Sequence, residues 1–193
     1  MSDPGREQEH ISVVARLRPS PQPSPHVRAA EKEVVVQIPR GDDVINNQVE
    51  EYGFRFARVF GPDASQRTVF DAAAKELVLG ALDGVNCTIF AYGQTGSGKT
   101  YTICGNHKER GIVPRSLNAI FEALERRQGG EDFSISMSFI EVYKEVGYDL
   151  LAKERNRPHT SPRKGFKNRE LTLQLLLPPL SSAFVFLIYN PWE

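Results

Sequence analysis

The sequence predicts an α/β protein in which a mixed β-sheet is flanked by helices. Short runs rich in β-branched and aromatic residues alternate with segments whose apolar residues recur at helical spacing. One apolar run leads directly into a glycine-rich segment that carries a single lysine. A strand, a glycine loop and a helix in that order are typical of α/β folds that bind phosphate groups.

The first part of the chain contains three predicted strands, at residues 10–19, 34–38 and 52–60. In the third strand, Tyr52, Phe54 and Phe56 alternate with small or charged residues, which is the pattern of a half-buried strand. Four prolines between the first two strands predict an extended surface loop. Residues 1–9 are polar, contain no apolar signal-peptide core and are expected to be disordered.

Two helices are predicted from periodicity. The first runs toward Gly84 from a cap at Asp63 or Ser65, and its core face consists of Val69, Ala73, Leu77 and Ala81. The second begins at Pro114 and continues through Arg127, with a core face of Leu117, Ile120, Phe121 and Leu124.

Two further strands are predicted around and after the glycine-rich segment. Residues 85–92 form an apolar run that suits a buried parallel strand, and residues 134–145 alternate as a second strand. Beyond Leu151 the periodicity ends. Residues 155–170 are basic and contain proline, which favours a solvated linker over a nucleic-acid patch because no aromatic platform is interleaved with the basic residues. The apolar residues 183–189 either add a strand or remain exposed.

Composition limits the classes of partner. The 193 residues carry no net charge, so charge gives no argument for a nucleic-acid or membrane partner. The longest apolar stretch, residues 171–189, is divided by Pro178 and Pro179 into pieces too short to span a bilayer. Cys87 and Cys104 have neither metal-ligand nor disulfide spacing and are expected to be buried thiols in a reducing compartment. We expect a cytoplasmic protein.

The glycine-rich segment matches the phosphate-loop pattern G-x-x-x-x-G-K-S/T at every fixed position. Glycines let the backbone approach a polyphosphate closely, so that successive N–H groups point at the anion. Lys99 can reach the β- and γ-phosphates, and the Thr100 hydroxyl can ligate Mg²⁺, so these two residues are the predicted catalytic groups. The predicted phosphate-binding residues are Gly93, Gln94, Thr95, Gly96, Ser97, Gly98, Lys99 and Thr100.

At this point the chain resembles the kinesin motor family. FAYGQTGSGKTYT is nearly the family's own form of the loop, and three further stretches match family elements in family order: ARLRP, the R-x-R-P element; RGIVPR, the start of a helix; and FIEVYKEVGYDLL, a strand and turn. Together the four stretches lie within residues 10–151. VINNQ, EEYGFRF and GYDLL are also similar to the ninth kinesin subfamily, which is associated with cilia and flagella.

The resemblance implies the kinesin motor fold, with ATP or ADP and Mg²⁺ as ligands and the microtubule, through tubulin, as partner. It implies that Arg16, Pro19 and Tyr101 form the adenine and ribose side of the site, although Tyr101 could instead be core packing. It also implies a cytoskeletal location. Glu141 and Glu145 flank Tyr143, and their spacing fits one strand face or a turn better than a catalytic pair.

Two motifs that the family uses for phosphoryl transfer, N-x-x-S-S-R-S-H and D-L-A-G-S-E, do not occur in the sequence. The resemblance therefore implies a partial motor domain over residues 10–152, followed by a divergent linker and tail over residues 153–193. A splice product, a frame-shifted gene model and a genuine short protein would all have this sequence. In the family, the strand before the loop lies between two later strands, so we expect residues 85–92 to lack sheet partners.

The expected function is that of a microtubule-motor ATPase, present as a fragment without full motor activity. Two alternatives stay open: a fragment that binds nucleotide without hydrolysing it, or sequesters partners of a longer motor, and an inactive chain. A small kinase or GTPase is disfavoured because the sequence contains no N-K-x-D base-recognition motif or lid arginine set.

Overall fold

The computed structural model describes residues 11–38, 50–127, 134–143, 146–149, 151, 168–177 and 180–189. The predicted disordered residues 1–9 and the predicted boundary between residues 152 and 153 lie outside these ranges. The chain forms two compact units, Met1–Ala64 and Ser65–Glu193. In the described part of the chain, no helix combines the length and apolar character needed to cross a membrane.

The described residues of the first unit form five strands in two sheets: β1 (Val14–Arg16), β2 (Val27–Ala29), β3 (Glu33–Ile38), β4 (Glu50–Arg55) and β5 (Arg58–Phe60). Strands β1 and β5 pair in parallel, whereas β2, β3 and β4 form an antiparallel sheet in that order. The strand predicted at residues 10–19 is thus only three residues long, and the one at residues 34–38 is confirmed as β3.

The single strand predicted at residues 52–60 is wrong, because the chain changes sheets within it. The Phe56 amide donates to the Lys32 carbonyl at the edge of one sheet, and the Ala57 amide donates to the Val13 carbonyl at the other. Consecutive backbone N–H groups with partners in different sheets require a break between β4 and β5. Tyr52 and Phe54 remain 46% and 50% exposed, so their alternation does not mark a buried face.

The helix predicted before Gly84 is two helices, α1 (Gln66–Ala73) and α2 (Lys75–Ala81). The predicted cap is confirmed, because the Ser65 hydroxyl accepts a hydrogen bond from the Thr68 amide at 3.0 Å. The break lies at Ala74, whose φ of −128° departs from helical geometry. Because of this break, the buried face of α2 is one position away from the predicted face. Val78 is fully buried, whereas Leu77, which was predicted in the core, is 41% exposed.

Helix α4 (Ile112–Arg126) begins two residues before the predicted start. Pro114 lies within its first turn, where a backbone N–H would have no partner in the helix. The buried residues recur every four positions, as Ile112, Ser116, Ile120 and Leu124. Phe121 was predicted in the core but is 49% exposed, because it follows Ile120 by one position and points away from this row.

The described strands of the second unit form one five-stranded sheet, in the order β6 (Cys87–Tyr92), β10 (Leu180–Tyr189), β9 (Asn168–Leu177), β7 (Ser134–Tyr143) and β8 (Val146–Asp149). Only β6 and β10 are parallel, with Cys87 opposite Phe184 and Tyr92 opposite Tyr189. Helix α2 packs against both of these strands and against α4.

This pairing corrects the expectation that residues 85–92 have no sheet partner. The apolar tail adopts the strand alternative and pairs with the whole of β6, so the backbone groups along that side of β6 are hydrogen-bonded. The prediction of a parallel strand is confirmed, but burial on both faces is not, because Phe90 and Tyr92 are 59% and 65% exposed. Since β10 ends beside Tyr92, its carboxyl end lies next to the start of the glycine loop.

Candidate phosphate-binding site

The glycine loop leaves the carboxyl end of β6 at Gly93 and leads into α3 (Lys99–Ile103). Three of its glycines have positive φ angles, namely 151° at Gly93, 78° at Gly96 and 102° at Gly98. Residues with a Cβ atom rarely adopt such conformations, which explains why the turn is built from glycine. A Cβ atom on Gly93 would also lie 2.8 Å from the Ser97 hydroxyl oxygen. The loop therefore closes tightly around its own backbone.

Lys99 connects the two ends of this loop. Its ammonium group donates to the carbonyl oxygens of Gly93 at 2.7 Å and Gln94 at 2.8 Å. The Ser97 amide donates to the Gln94 carbonyl at 3.1 Å and closes a turn within the loop. The Lys99 cation is thus hydrogen-bonded to the first two carbonyl groups of the glycine loop and lies beside the loop backbone.

The geometry fits a polyphosphate better than it fits a metal ion bound by protein groups alone. The loop supplies glycine backbone and a lysine, and Gln94, Thr95 and Thr100 are exposed beside them. Among the described residues, no group of three or more His, Cys, Asp or Glu side chains could hold a metal ion. Mg²⁺ commonly binds through phosphate oxygens, water and one or two protein oxygens, so the Thr100 hydroxyl suffices as a protein ligand of this kind.

Helix α3 is short. Five residues form little more than one turn, so the dipole of this helix contributes less to anion binding than a long helix would. Its backbone is held by the Thr102 amide, which donates to the Gly98 carbonyl at 2.9 Å, and the Cys104 amide, which donates to the Thr100 carbonyl at 2.8 Å. The backbone N–H groups of the loop and the Lys99 cation are therefore the principal candidates for holding phosphate.

The residues predicted for the adenine side lie in both units. Tyr101 belongs to the second unit and is 41% exposed, which disfavours the alternative of core packing. Arg16 and Pro19 belong to the first unit; the Arg16 guanidinium donates to the Ala64 carbonyl at 3.2 Å, and Pro19 is exposed. Their joint role in base binding stays a prediction. Glu141 lies in β7, and Glu145 lies outside the described residues.

Gln66 was not among the predicted site residues, yet it is 1% exposed and donates to the Tyr101 carbonyl at 2.6 Å. Its position in the helical pattern could have indicated this role, because Gln66 falls on the same helix face as the buried Val69 and Phe70. A polar residue on a buried face needs a hydrogen-bond partner.

The thiols differ in their surroundings. Cys87 is buried in β6, and burial raises the pKa of its thiol. Cys104, just after α3, is only partly buried. The prediction of buried thiols is therefore confirmed for Cys87 and wrong for Cys104.

Comparison with known proteins identifies the family. The kinesin motor domain family model matches residues 16–175, which continues past the last matching motif at Leu151. The chain belongs to the kinesin motor domain family. Kinesin-like protein KIN-5B of Oryza sativa subsp. japonica is 36% identical over 155 residues, which cover 75% of this chain and 15% of the relative. Kinesin-like protein KIN-5B of Arabidopsis thaliana is 41% identical over 119 residues, which cover 58% of this chain and 11% of the relative.

Solved kinesin structures share the fold. Drosophila NOD in complex with AMPPNP superimposes with a TM-score of 0.75 at 22% identity, covering 97% of this chain and 74% of that one. KIF14 with ADP, in complex with a microtubule, gives a TM-score of 0.74 at 22% identity. The superposition covers 95% of this chain and 70% of that one. The kinesin motor fold predicted from the motifs is confirmed. The narrower likeness to the ninth subfamily stays a prediction.

Proposed function

We propose that the glycine loop of this kinesin-family chain binds ATP and ADP together with Mg²⁺. The observation that carries the proposal is the loop geometry: three glycines at positive φ, followed by Lys99, whose ammonium group is hydrogen-bonded to the loop backbone. Related folds support it, because Drosophila NOD was solved with AMPPNP and with divalent manganese and ADP.

Each loop residue has a distinct part in the proposal. Backbone N–H groups of the segment between Gly93 and Lys99 would donate to phosphate oxygens, and the Ser97 amide would have to leave the Gln94 carbonyl to do so. Lys99 would exchange two neutral carbonyl acceptors for a charged phosphate, a stronger hydrogen-bond partner. Thr100 would offer its hydroxyl to Mg²⁺, which neutralises phosphate charge when bound. Tyr101 follows directly and is accessible to a base or ribose.

We further propose that the chain is part of a microtubule-based motor located on the cytoskeleton. KIF14 with ADP was solved in complex with a microtubule, and NOD was docked with bovine tubulin on the microtubule. The chain spans only 11–15% of the length of the curated relatives described above. Movement along microtubules is therefore proposed for the motor as a whole. A ciliary or flagellar location rests on the subfamily likeness alone.

For the 193-residue polypeptide itself, a specific observation favours nucleotide binding with little hydrolysis. Hydrolysis requires groups that position water and sense the γ-phosphate. The family's N-x-x-S-S-R-S-H and D-L-A-G-S-E motifs do not occur in the 193 residues. A polypeptide that retains the loop but not these groups would hold nucleotide, and could sequester partners of a longer motor, without converting binding into movement.

Isothermal titration calorimetry of the purified polypeptide tests the binding proposal. ATP and ADP should both bind in the presence of Mg²⁺, and EDTA should weaken both. Adenosine, which has the base but no phosphate, is the matched control and should bind far more weakly. Absence of heat with ATP and ADP from a polypeptide whose circular dichroism shows folded helix and strand would refute the proposal.

A further inference from the structure

Helix α3 carries Lys99 and Thr100 but has little stability of its own. A helix of five residues contains few internal hydrogen bonds, and isolated helices of this length do not persist in water. Contacts with neighbouring elements must therefore fix its position. Ile103, its last residue, is 2% exposed and provides an apolar contact.

Gln66 provides the polar contact. Its side-chain amide donates to the Tyr101 carbonyl at 2.6 Å across 35 residues of sequence. Tyr101 is in the last turn of α3, where helix carbonyls do not find partners within their own helix. The Gly105 amide, the next donor along the chain, bonds instead to the Thr100 carbonyl at 3.2 Å. Gln66 therefore acts as a side-chain cap on the carboxyl-terminal turn of α3.

The cap is itself rigidly held. Gln66 is the first residue of α1, and the Ser65 hydroxyl fixes that helix end through the Thr68 amide. Val69 and Phe70, one turn later, are buried at 2% and 6% exposure. With a side chain that is itself only 1% exposed, Gln66 has almost no freedom to follow α3 if that helix moves.

We infer that Gln66 is a positioning residue for the phosphate site, acting through α3 on Lys99 and Thr100. The nucleotide part of this inference rests on the proposed function, whereas the anchoring of α3 does not. Displacement of α3 by even a small distance would move the Lys99 ammonium and the Thr100 hydroxyl together, because both belong to its first turn.

Gln66→Met is the main test variant, because methionine keeps the volume and removes the donor. One lost hydrogen bond should weaken ADP binding by about 3- to 10-fold. Amide exchange at Thr102 and Cys104 should accelerate relative to Ile120 in α4. Val69→Ala is the matched control: it is a buried change in the same helix that lowers overall stability, but it should leave both the ADP affinity and this exchange ratio at the wild-type value.

Gln66→Glu supplies a readout that a purely structural role would not give. A neutral carboxyl group can donate to the Tyr101 carbonyl, whereas an ionised carboxylate cannot. Burial raises the pKa of such a carboxyl. The ADP affinity of this variant, expressed relative to wild type at each pH, should therefore recover as the pH falls.

The outcomes separate the two claims. If wild type binds ADP and Gln66→Met binds it equally well, the inference is overturned and the proposed function stands. If wild type binds no ADP, the proposed function is overturned, and the exchange ratio alone decides whether Gln66 anchors α3. An unchanged ratio in Gln66→Met would overturn the anchoring as well.

Discussion

The ammonium group of Lys99 lies 2.7 Å from the carbonyl oxygen of Gly93, so the end of the glycine loop is bonded to its beginning. The second bond, to the Gln94 carbonyl at 2.8 Å, fixes the direction of the side chain. A phosphate bound in the loop would replace these two carbonyl oxygens as the hydrogen-bond acceptor of the Lys99 ammonium group. The charge of the phosphate makes the exchange favourable, because hydrogen bonds between charged partners are stronger than those to neutral carbonyls.

Lys99→Ala should therefore remove measurable ATP binding by calorimetry. The change deletes the only side-chain cation of the loop and leaves its glycine backbone in place. Lys75→Ala is the control, because Lys75 is an exposed lysine on α2 and its loss changes net charge by the same amount. An ATP affinity that is unchanged in Lys99→Ala would refute the assignment of the site.

Replacement of glycine by alanine should have opposite effects on stability at Gly98 and at Gly80. Gly98 has a φ of 102°, so Gly98→Ala should strain the loop and cost about 1–2 kcal/mol even though no atom obstructs a Cβ there. Gly80 lies in α2, where a Cβ also meets nothing within 4 Å. Gly80→Ala should stabilise the protein by about 0.5–1 kcal/mol, since alanine favours helix more than glycine does. Urea unfolding measures both, and equal effects would contradict the argument.

The loop and the caps were predictable from sequence because they depend on local chemistry. The glycines at positions 93, 96 and 98 are needed wherever φ is positive, and Ser65 caps a helix through the nearby Thr68 amide. Neither feature requires knowledge of distant residues. The fold class followed from these local features and from the family motifs around them.

The remaining features depend on distant partners and were not predictable from pattern. The apolar spacing continues through Ala74, so nothing local indicates that the helix breaks there. The pairing of Tyr92 with Tyr189 joins residues almost a hundred positions apart. Apolar runs such as residues 183–189 indicate that a strand is favourable, but they do not indicate with which strand it pairs. The role of Gln66 depends on the same kind of long-range contact.

Tyr101→Ala should weaken ATP binding more than it weakens binding of inorganic triphosphate. The side chain is 41% exposed immediately after the phosphate loop, so it is accessible to a base or ribose, the role that the family resemblance implies for it. Competition calorimetry with both ligands makes the comparison, and Tyr101→Phe tests whether the ring or the hydroxyl is responsible. Equal loss of both ligands would show that Tyr101 supports the loop instead of the base.

Arg127→Ala should destabilise the second unit more than Arg126→Ala does. Arg127 donates to Asp83 at 2.7 Å and to the Leu82 carbonyl at 3.0 Å, so it joins the end of α4 to the end of α2. Half of its side chain is exposed, which limits the expected loss to about 1 kcal/mol. Arg126 forms only an exposed pair with Glu122 at 3.5 Å and should contribute less. Equilibrium unfolding of the two variants measures which substitution lowers the free energy of unfolding more, and an equal or larger loss for Arg126→Ala would contradict this prediction.

The 193-residue polypeptide should bind ATP but hydrolyse it slowly, with no stimulation by microtubules. Pairing of β6 with β10 removes part of the structural reason for this expectation, because the strand before the loop has a partner. The chemical reason stands. Hydrolysis depends on positioned water and on charge stabilisation around the γ-phosphate, and the loop supplies neither by itself.

A steady-state ATPase assay with and without microtubules tests this last prediction. Slow turnover, unchanged by microtubules and by Thr100→Ala, would mean that the loop holds nucleotide without completing a catalytic site. Thr100→Ser is the control that keeps the hydroxyl for Mg²⁺ and should bind ATP as wild type does. Turnover that rises when microtubules are added would refute the prediction. It would mean that residues after Leu151, including those around the end of β10 beside the loop, supply the missing chemistry through motifs unlike those of the family.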